Sequence, residues 1–176
     1  MPKYTEPERI LRAVRRRLGR IALAAIGAGL LSSCSTLPLP TEPSGPIGIV
    51  AVDQGTAQAL ISDYRRTHGL STVEIDPALQ RVAQRQAEAM ASANLLSHQV
   101  AGSMPERLER AGIPRRAAIE NVSAGYASLQ AALGGWKRSP HHNENLLFGP
   151  MHRMGIAAAS APGTRYKTFW SLVMTN

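Results

Sequence analysis

Five histidines, the Glu120-Asn121 pair and a single cysteine are the residues of this chain with chemical reach. The histidines are His68, His98, His141, His142 and His152. A neutral imidazole can bind a transition metal, relay a proton or simply brace a fold, so its surroundings decide its use. There is no His-x-x-x-His pair and no cysteine cluster, so the local metal signal is weak. Glu120 and Asn121 stand in a segment, 117–126, with little other charge. Ser97, Ser123 and Ser139 could be imagined beside a histidine, but none sits in a Gly-x-Ser-x-Gly nucleophile motif. His68 beside Gly69 reads as a helix-terminal residue favoured by the helix dipole. His152 reads as part of a turn with Arg153.

These side chains need elements to hold them. Ala57, Leu60, Ile61 and Tyr64 fall at i, i+3, i+4 and i+7, which predicts a helix over 56–68 stopped by Gly69. Asp76-Pro77 opens a second helix, with Asp as N-cap and Pro in the first turn. Its inner face is expected to be Leu79, Val82, Ala83, Gln86, Met90 and Ala93, and His98 follows it. Ser103-Met104-Pro105-Glu106 has the form of a capping box before a short helix ending at Gly112. Leu129, Ala132, Leu133 and Trp136 mark one side of a helix over 128–136. His141 and His142 then fall in a loop after Ser139-Pro140.

The period changes at the end of the chain. Residues 154–160 and 166–174 are strand-like, with a hairpin turn at Ala161-Pro162-Gly163-Thr164. Both faces of the last strand carry bulky apolar groups, so layers are expected on both sides. Helices followed by a terminal antiparallel hairpin make an α+β class.

The 176-residue chain carries a formal charge of +8, and +5 of it lies before residue 34. The remainder has no basic face to suggest nucleic acid; Arg65-Arg66 and Arg115-Arg116 read as solvated pairs. Ile21 to Leu31 is an apolar run of 11 residues. A membrane-crossing helix needs about 20, while the core of a signal peptide needs about 7–15. Leu31-Ser32-Ser33-Cys34 then resembles the lipobox of bacterial lipoproteins, in which the cysteine becomes the acylated first residue. Four prolines within residues 35–46 favour an extended tether. The expected organisation is a signal peptide (1–33), a lipidated Cys34 with its tether (34–46) and one domain (47–176). Such a chain is expected at a membrane, facing the periplasm of the outer membrane in a two-membrane cell.

Several segments together resemble the CAP superfamily, which holds cysteine-rich secretory, antigen 5 and pathogenesis-related proteins, and more closely its bacterial SCP-like branch. Tyr64-Arg65-Arg66-Thr67-His68-Gly69-Leu70 resembles the end of that family's first helix. Ile75-Asp76-Pro77-Ala78-Leu79 resembles the opening of the second, and Ser97-His98 the sequence that follows it. The segment 107–112, Ile119-Glu120-Asn121-Val122-Ser123-Ala124-Gly125, the run from Trp136 to Leu147 and Met154-Gly155-Ile156-Ala157 continue the match in order.

The resemblance implies an α-β-α sandwich around a small antiparallel sheet. It implies that His98, Glu120 and His142 meet in a cleft, supported by Asn121 and Asn145. His142 rather than His141 aligns with the family histidine, because His141 stands where the motif has glycine. Many members add a second acid; here no acid lies beside Trp136, and Ser139 stands near that place. Such a cleft could brace the fold, hold zinc or another divalent transition metal, or do chemistry. Three functions follow as expectations: a non-enzymatic envelope module binding a partner or a small apolar or lipid ligand, a hydrolase of envelope substrates, or a purely structural lipoprotein. The oligomeric state has no sequence signal.

Overall fold

A computed structural model describes residues 45–114 and 117–176. The signal segment, Cys34, most of the tether and the Arg115-Arg116 pair lie outside the described residues.

The first strand, β1 (Gly48–Val50), precedes helix α1 (Gln54–Arg66). Asp53 caps α1 by accepting a hydrogen bond from the Thr56 N–H, so the helix starts before the 56–68 window that its apolar spacing predicts. Gly69, at φ 73°, ends the excursion, and the Nδ1 of His68 lies 2.9 Å from the Tyr64 carbonyl oxygen. Two-residue β2 (Glu74–Ile75) leads to α2 (Pro77–Ala93), whose N-cap Asp76 accepts from Ala78 and Leu79 N–H groups. Its buried face is Leu79, Val82, Ala83, Gln86, Ala87, Met90 and Ala91. Ala93 is exposed, contrary to the sequence pattern. The i+4 row through Ala83, Ala87 and Ala91 faces the sheet, and Ala93 falls off that row.

Helix α3 (Met104–Arg110) carries both hydrogen bonds of the Ser103–Glu106 capping box, and Gly112 at φ 66° follows it. The segment around Glu120 is a strand, β3 (Ala118–Ala124), which the sequence reading did not assign. Its residues are buried on both faces, so it has no apolar–polar alternation to betray it. After α4 (Leu129–Arg138), Ser139-Pro140 opens a further helix, α5 (Pro140–Leu146), where the sequence suggested a loop. Proline in the first turn of a helix is a start signal, and here it prevails over the polar composition of the segment. The chain closes with the hairpin β4 (Arg153–Ala161) and β5 (Lys167–Thr175).

The strands make one sheet in the order β1-β4-β5-β3, with β2 beside β4. All pairings are antiparallel except β2 with β4. One face packs on α1, α4 and α5 through Ile61, Trp136, Leu146, Ile156, Trp170 and Leu172. The other packs on α2 and α3 through Leu79, Val82, Leu108, Ala157, Val173 and Phe169. This is the expected α-β-α sandwich. Trp136 and Trp170 are 1% and 2% exposed, as their positions in helix and strand require. Among the described residues no helix is long and apolar enough to cross a membrane.

The α2–β4 contact is close because small residues line it: Ala83 and Ala87 on the helix, Gly155, Ala157 and Ala159 on the strand. A methyl group on Gly155 would overlap the backbone of Leu79 and Gln80. A helix backbone cannot swing aside as a side chain would. Gly155→Ala should therefore cost at least about 3 kcal/mol, the upper end for overpacking. Urea unfolding checks it, and an unchanged midpoint would show that α2 can retreat.

Candidate functional site

The sheet ends at β3, which pairs on one side only, with β5. Strand alternation sends neighbouring side chains of β3 to opposite faces. Glu120 stands opposite Val173 and turns toward α2 and α3. Asn121 stands opposite Leu172 and turns toward α4 and α5. One dipeptide at the sheet edge thus grips a layer on each side, and the candidate site lies around that edge.

On the first side Glu120 is buried, its side chain 3% exposed. Its Oε1 accepts from Arg107 Nη1 at 2.8 Å, and its Oε2 accepts from Arg107 Nη2 at 3.1 Å. The same Oε2 lies 2.8 Å from Nδ1 of His98. Burial works against the charged carboxylate; the hydrogen bonds from His98 and Arg107 and the Arg107 charge overcome it and hold the Glu120 carboxyl below its ordinary range. A carboxylate accepts protons, so Nδ1 of His98 carries the hydrogen, and Nε2 keeps its lone pair in the neutral ring. That second ring nitrogen has no protein partner among the described residues.

The backbone of the His98 loop is pinned as well. Arg107 Nη2 donates to the His98 carbonyl at 3.2 Å, and Gln86 Nε2 donates to the Ser97 carbonyl at 2.7 Å. Arg107 is the member that the sequence reading left without a role. Its signal was indirect: a glutamate in an apolar strand must find a cation or a donor.

On the second side Asn121 Nδ2 donates to the His142 carbonyl at 2.9 Å. Asn145 Nδ2 donates to Asn121 Oδ1 at 2.8 Å and to the Glu120 carbonyl at 3.1 Å. Two asparagines thereby fix α5 against the free edge of β3. His142 is partly buried. Its pKa is lowered, first by burial and then by the charges of His98 and His141. The cavity at this edge is lined by His98 and Asn145 and not by His142. His141 points away: its side chain is 95% exposed, and its nearest acid is Glu144 at 3.6 Å. Glu144 therefore supplies no second acid to the site.

His98, Gln99, Met104, Pro105, Ile119 and Asn145 line a cavity of about 380 Å³. Its walls are mixed, with the histidine and asparagine opposite apolar side chains. None of Ser97, Ser123 or Ser139 hydrogen-bonds to a histidine: Ser97 Oγ accepts from the Gln99 N–H, Ser123 Oγ is buried without a partner, and the Ser139 side chain makes no cap to α5. Among the described residues no three His, Cys, Asp or Glu side chains cluster as a metal cage.

Arg65 needs a correction. The sequence suggested a solvated pair with Arg66, but only Arg66 is exposed, paired with Asp63. Arg65 is fully buried. It follows Ala57 and Ile61 along the i+4 row of α1, which turns its stem inward.

Comparison with known proteins agrees with the fold. The model of the family described as "CAP: Cysteine-rich secretory protein family" matches residues 58–174. An uncharacterized membrane protein of Bacillus subtilis is 33% identical over 109 residues, which are 58% of this chain and 32% of that protein. The chain thus spans about a third of that relative's length. The crystal structure of an extracellular SCP-domain protein from Bacillus anthracis is similar at a TM-score of 0.61 and 26% identity, covering 70% of this chain and 40% of that one. An outer surface protein from Borrelia burgdorferi shares the fold at a TM-score of 0.62 and 20% identity, covering 71% and 96%.

Proposed function

Because this chain belongs to the CAP family of cysteine-rich secretory proteins, we propose that it is an envelope-anchored lipoprotein whose domain is a non-enzymatic binding module. Its cleft around His98, Glu120 and His142 takes a divalent transition metal or a small apolar ligand. One observation carries this reading: Glu120 fixes the His98 ring through Nδ1 and leaves Nε2 without a protein partner on a residue that lines the cavity. A carboxylate behind an imidazole orients the ring and raises its basicity, as around metal-bound histidines. His142 is the natural second ligand, because it is held neutral below the pH at which an ordinary histidine protonates. The alternative is a hydrolase of envelope substrates. Its Ser/His form is disfavoured, since none of Ser97, Ser123 and Ser139 hydrogen-bonds to a histidine. A metal-dependent form would draw its nucleophile from metal-bound water.

Zinc titration of the purified protein by calorimetry tests the metal reading. His98→Ala and His142→Ala should each abolish binding, since a two-nitrogen site cannot spare one, while His141→Ala should leave it intact. Binding should hold above about pH 6.5 and fall at lower pH. Metal uptake unchanged by both inner substitutions would leave the histidines with a bracing role only.

Anchoring rests on the lipobox, the apolar run and the proline tether. It accords with a relative called a membrane protein and another called extracellular. Mass spectrometry of the mature N-terminus should find an acylated Cys34 with residues 1–33 removed. Cys34→Ser should release the domain from the membrane or leave the precursor uncleaved. An intact Met1 in the native chain would sink the anchor.

A further inference from the structure

Behind the Glu120–Arg107 pair, on the side of α2 and α3, the chain gathers arginines that the cleft does not use. Arg85, Ala101, Arg107 and Arg110 line a cavity of about 210 Å³. Arg85 is exposed and has no protein partner among the described residues, and the same holds for Arg81 one turn earlier on α2. Two like charges at i and i+4 on a helix repel each other, and the nearest acid on α2, Glu88, accepts a hydrogen bond from Gln84 Nε2 at 2.9 Å.

Two of the acids nearby, Glu120 and Glu106, are already engaged. Glu120 is matched by Arg107. The Glu106 carboxylate accepts the Ser103 N–H of the capping box and feels the Arg110 charge. Glu109 lines an adjoining hollow that shares Ala101 and Arg110 with this cavity. The charged residues that line the cavity itself are Arg85, Arg107 and Arg110, with no acid among them.

Free donors remain too. Arg110 uses Nε on the Glu106 carbonyl at 3.3 Å and Nη2 on the Ala101 carbonyl at 2.8 Å, which leaves three of a guanidinium's five N–H groups. Arg107 makes four hydrogen bonds, to Gly102, His98 and both Glu120 oxygens, so one Nη1 hydrogen is unclaimed on a side chain that is 3% exposed.

We propose that this cavity between α2 and α3 binds a phosphoryl oxyanion, carried either by a soluble phosphate ester or by a phospholipid headgroup. The planar forks of Arg85 and Arg110 match two edges of a tetrahedral anion, and charge-assisted hydrogen bonds of this kind are the strong ones. Arg107 supplies a fixed third donor, immobilised by Glu120 before any ligand arrives. Ala101 leaves the cavity open where a larger side chain would fill it. The proposal depends on neither the metal nor the lipid anchor.

Calorimetric titration of the purified chain at low ionic strength, where screening is least, is the test. The probes are inorganic phosphate, glycerol 1-phosphate and short-chain phosphatidylglycerol below its micelle concentration. Arg85→Gln should weaken binding of the phosphoryl probes at least about tenfold, as expected for losing one charge-assisted contact. Arg85→Gln/Arg110→Gln should abolish it. Arg138→Gln, which removes the same charge from exposed α4, should change nothing. Tighter binding of phosphatidylglycerol than of glycerol 1-phosphate assigns the headgroup as the source, and the reverse order assigns a soluble ester. Equal losses in the Arg85 and Arg138 variants would reduce the effect to general charge and overturn the site, as would no heat with any probe. Arg85 has no protein partner to lose, so its variant remains folded and the result interpretable.

Discussion

Arg65→Met is expected to lower the unfolding free energy by at least about 4 kcal/mol, out of the roughly 5–15 kcal/mol that a domain of this kind has. The reason is the count of its hydrogen bonds. Nε donates to Ser71 at 2.9 Å, Nη1 to Leu146 and Phe148 at 2.8 and 2.9 Å, and Nη2 to Gly149 and Met151 at 3.1 and 3.2 Å, all to carbonyl oxygens. All five guanidinium hydrogens are used, and no acid is involved. Methionine fills much of the volume but leaves five acceptors without a donor. Water can recover those nearest the exposed Phe148 and Gly149, and the Leu146 and Met151 carbonyls bear the rest of the cost.

The bonds tie α1 to the connection that follows α5, so the variant should also loosen α5 and with it His142 and Asn145. Arg65→Lys keeps the charge but has three donors, and should fall between wild type and Arg65→Met. Thermal and urea unfolding of the three proteins decides it. A lysine variant as weak as methionine would show that geometry, not the number of donors, is what matters.

Glu120→Gln should be nearly as damaging, at about 3–5 kcal/mol, because it leaves the Arg107 charge buried without its counterion. Removing both charges is less costly than removing one. Glu120→Leu with Arg107→Met should therefore recover part of the loss while still freeing the His98 ring. The pH dependence has a definite sign. The folded-state pKa of Glu120 lies below its ordinary value, near 4.3 in an unfolded chain. Its contribution is thus fully present above that value and is lost as pH falls through the depressed folded pKa. His142 acts in the same direction at higher pH. Its folded pKa is also lowered, so stability declines from about pH 6.5 downward until the ring protonates in the fold. Asp76 adds to the acid limb: its burial is outweighed by the Leu79 and Ala78 N–H groups and Arg153, so its carboxyl is also lowered. Glu120→Gln should therefore shrink the acid limb below about pH 4 to the share of Asp76 and keep the shallower histidine limb. His142→Ala should do the reverse. Unfolding free energies measured between neutral pH and pH 3 separate the two, and an unchanged acid limb in Glu120→Gln would remove Glu120 as its origin.

The signals that were legible in the sequence are local ones. Asp76-Pro77, the Ser103–Glu106 box, Gly69 and Gly112 mark helix ends because caps and positive-φ turns involve residues only a few positions apart. The bulk on both faces of 167–175 required two covering layers, and α1, α4 and α5 on one side and α2 on the other supply them. The resemblance carried His98, Glu120 and His142 as a group and preferred His142 to His141. In the structure His142 is partly buried and His141 almost wholly exposed.

Tertiary structure alone decided the rest. β3 shows no period because it is covered on both faces, and α5 was hidden by its polar composition. Arg65 and Arg107 read as ordinary surface arginines, since an arginine's immediate neighbours in sequence do not reveal whether carbonyls and a carboxylate from 5 to 86 positions away will surround it. Above all, the opposite orientations of Glu120 and Asn121 follow from strand alternation, but their meaning comes from the sheet order. Only when β3 is placed at the free edge do side chains from both faces reach one cleft. Adjacent residues in the chain set the local geometry, whereas the partners of buried charges are chosen by whichever distant segments the packed sheet brings against them.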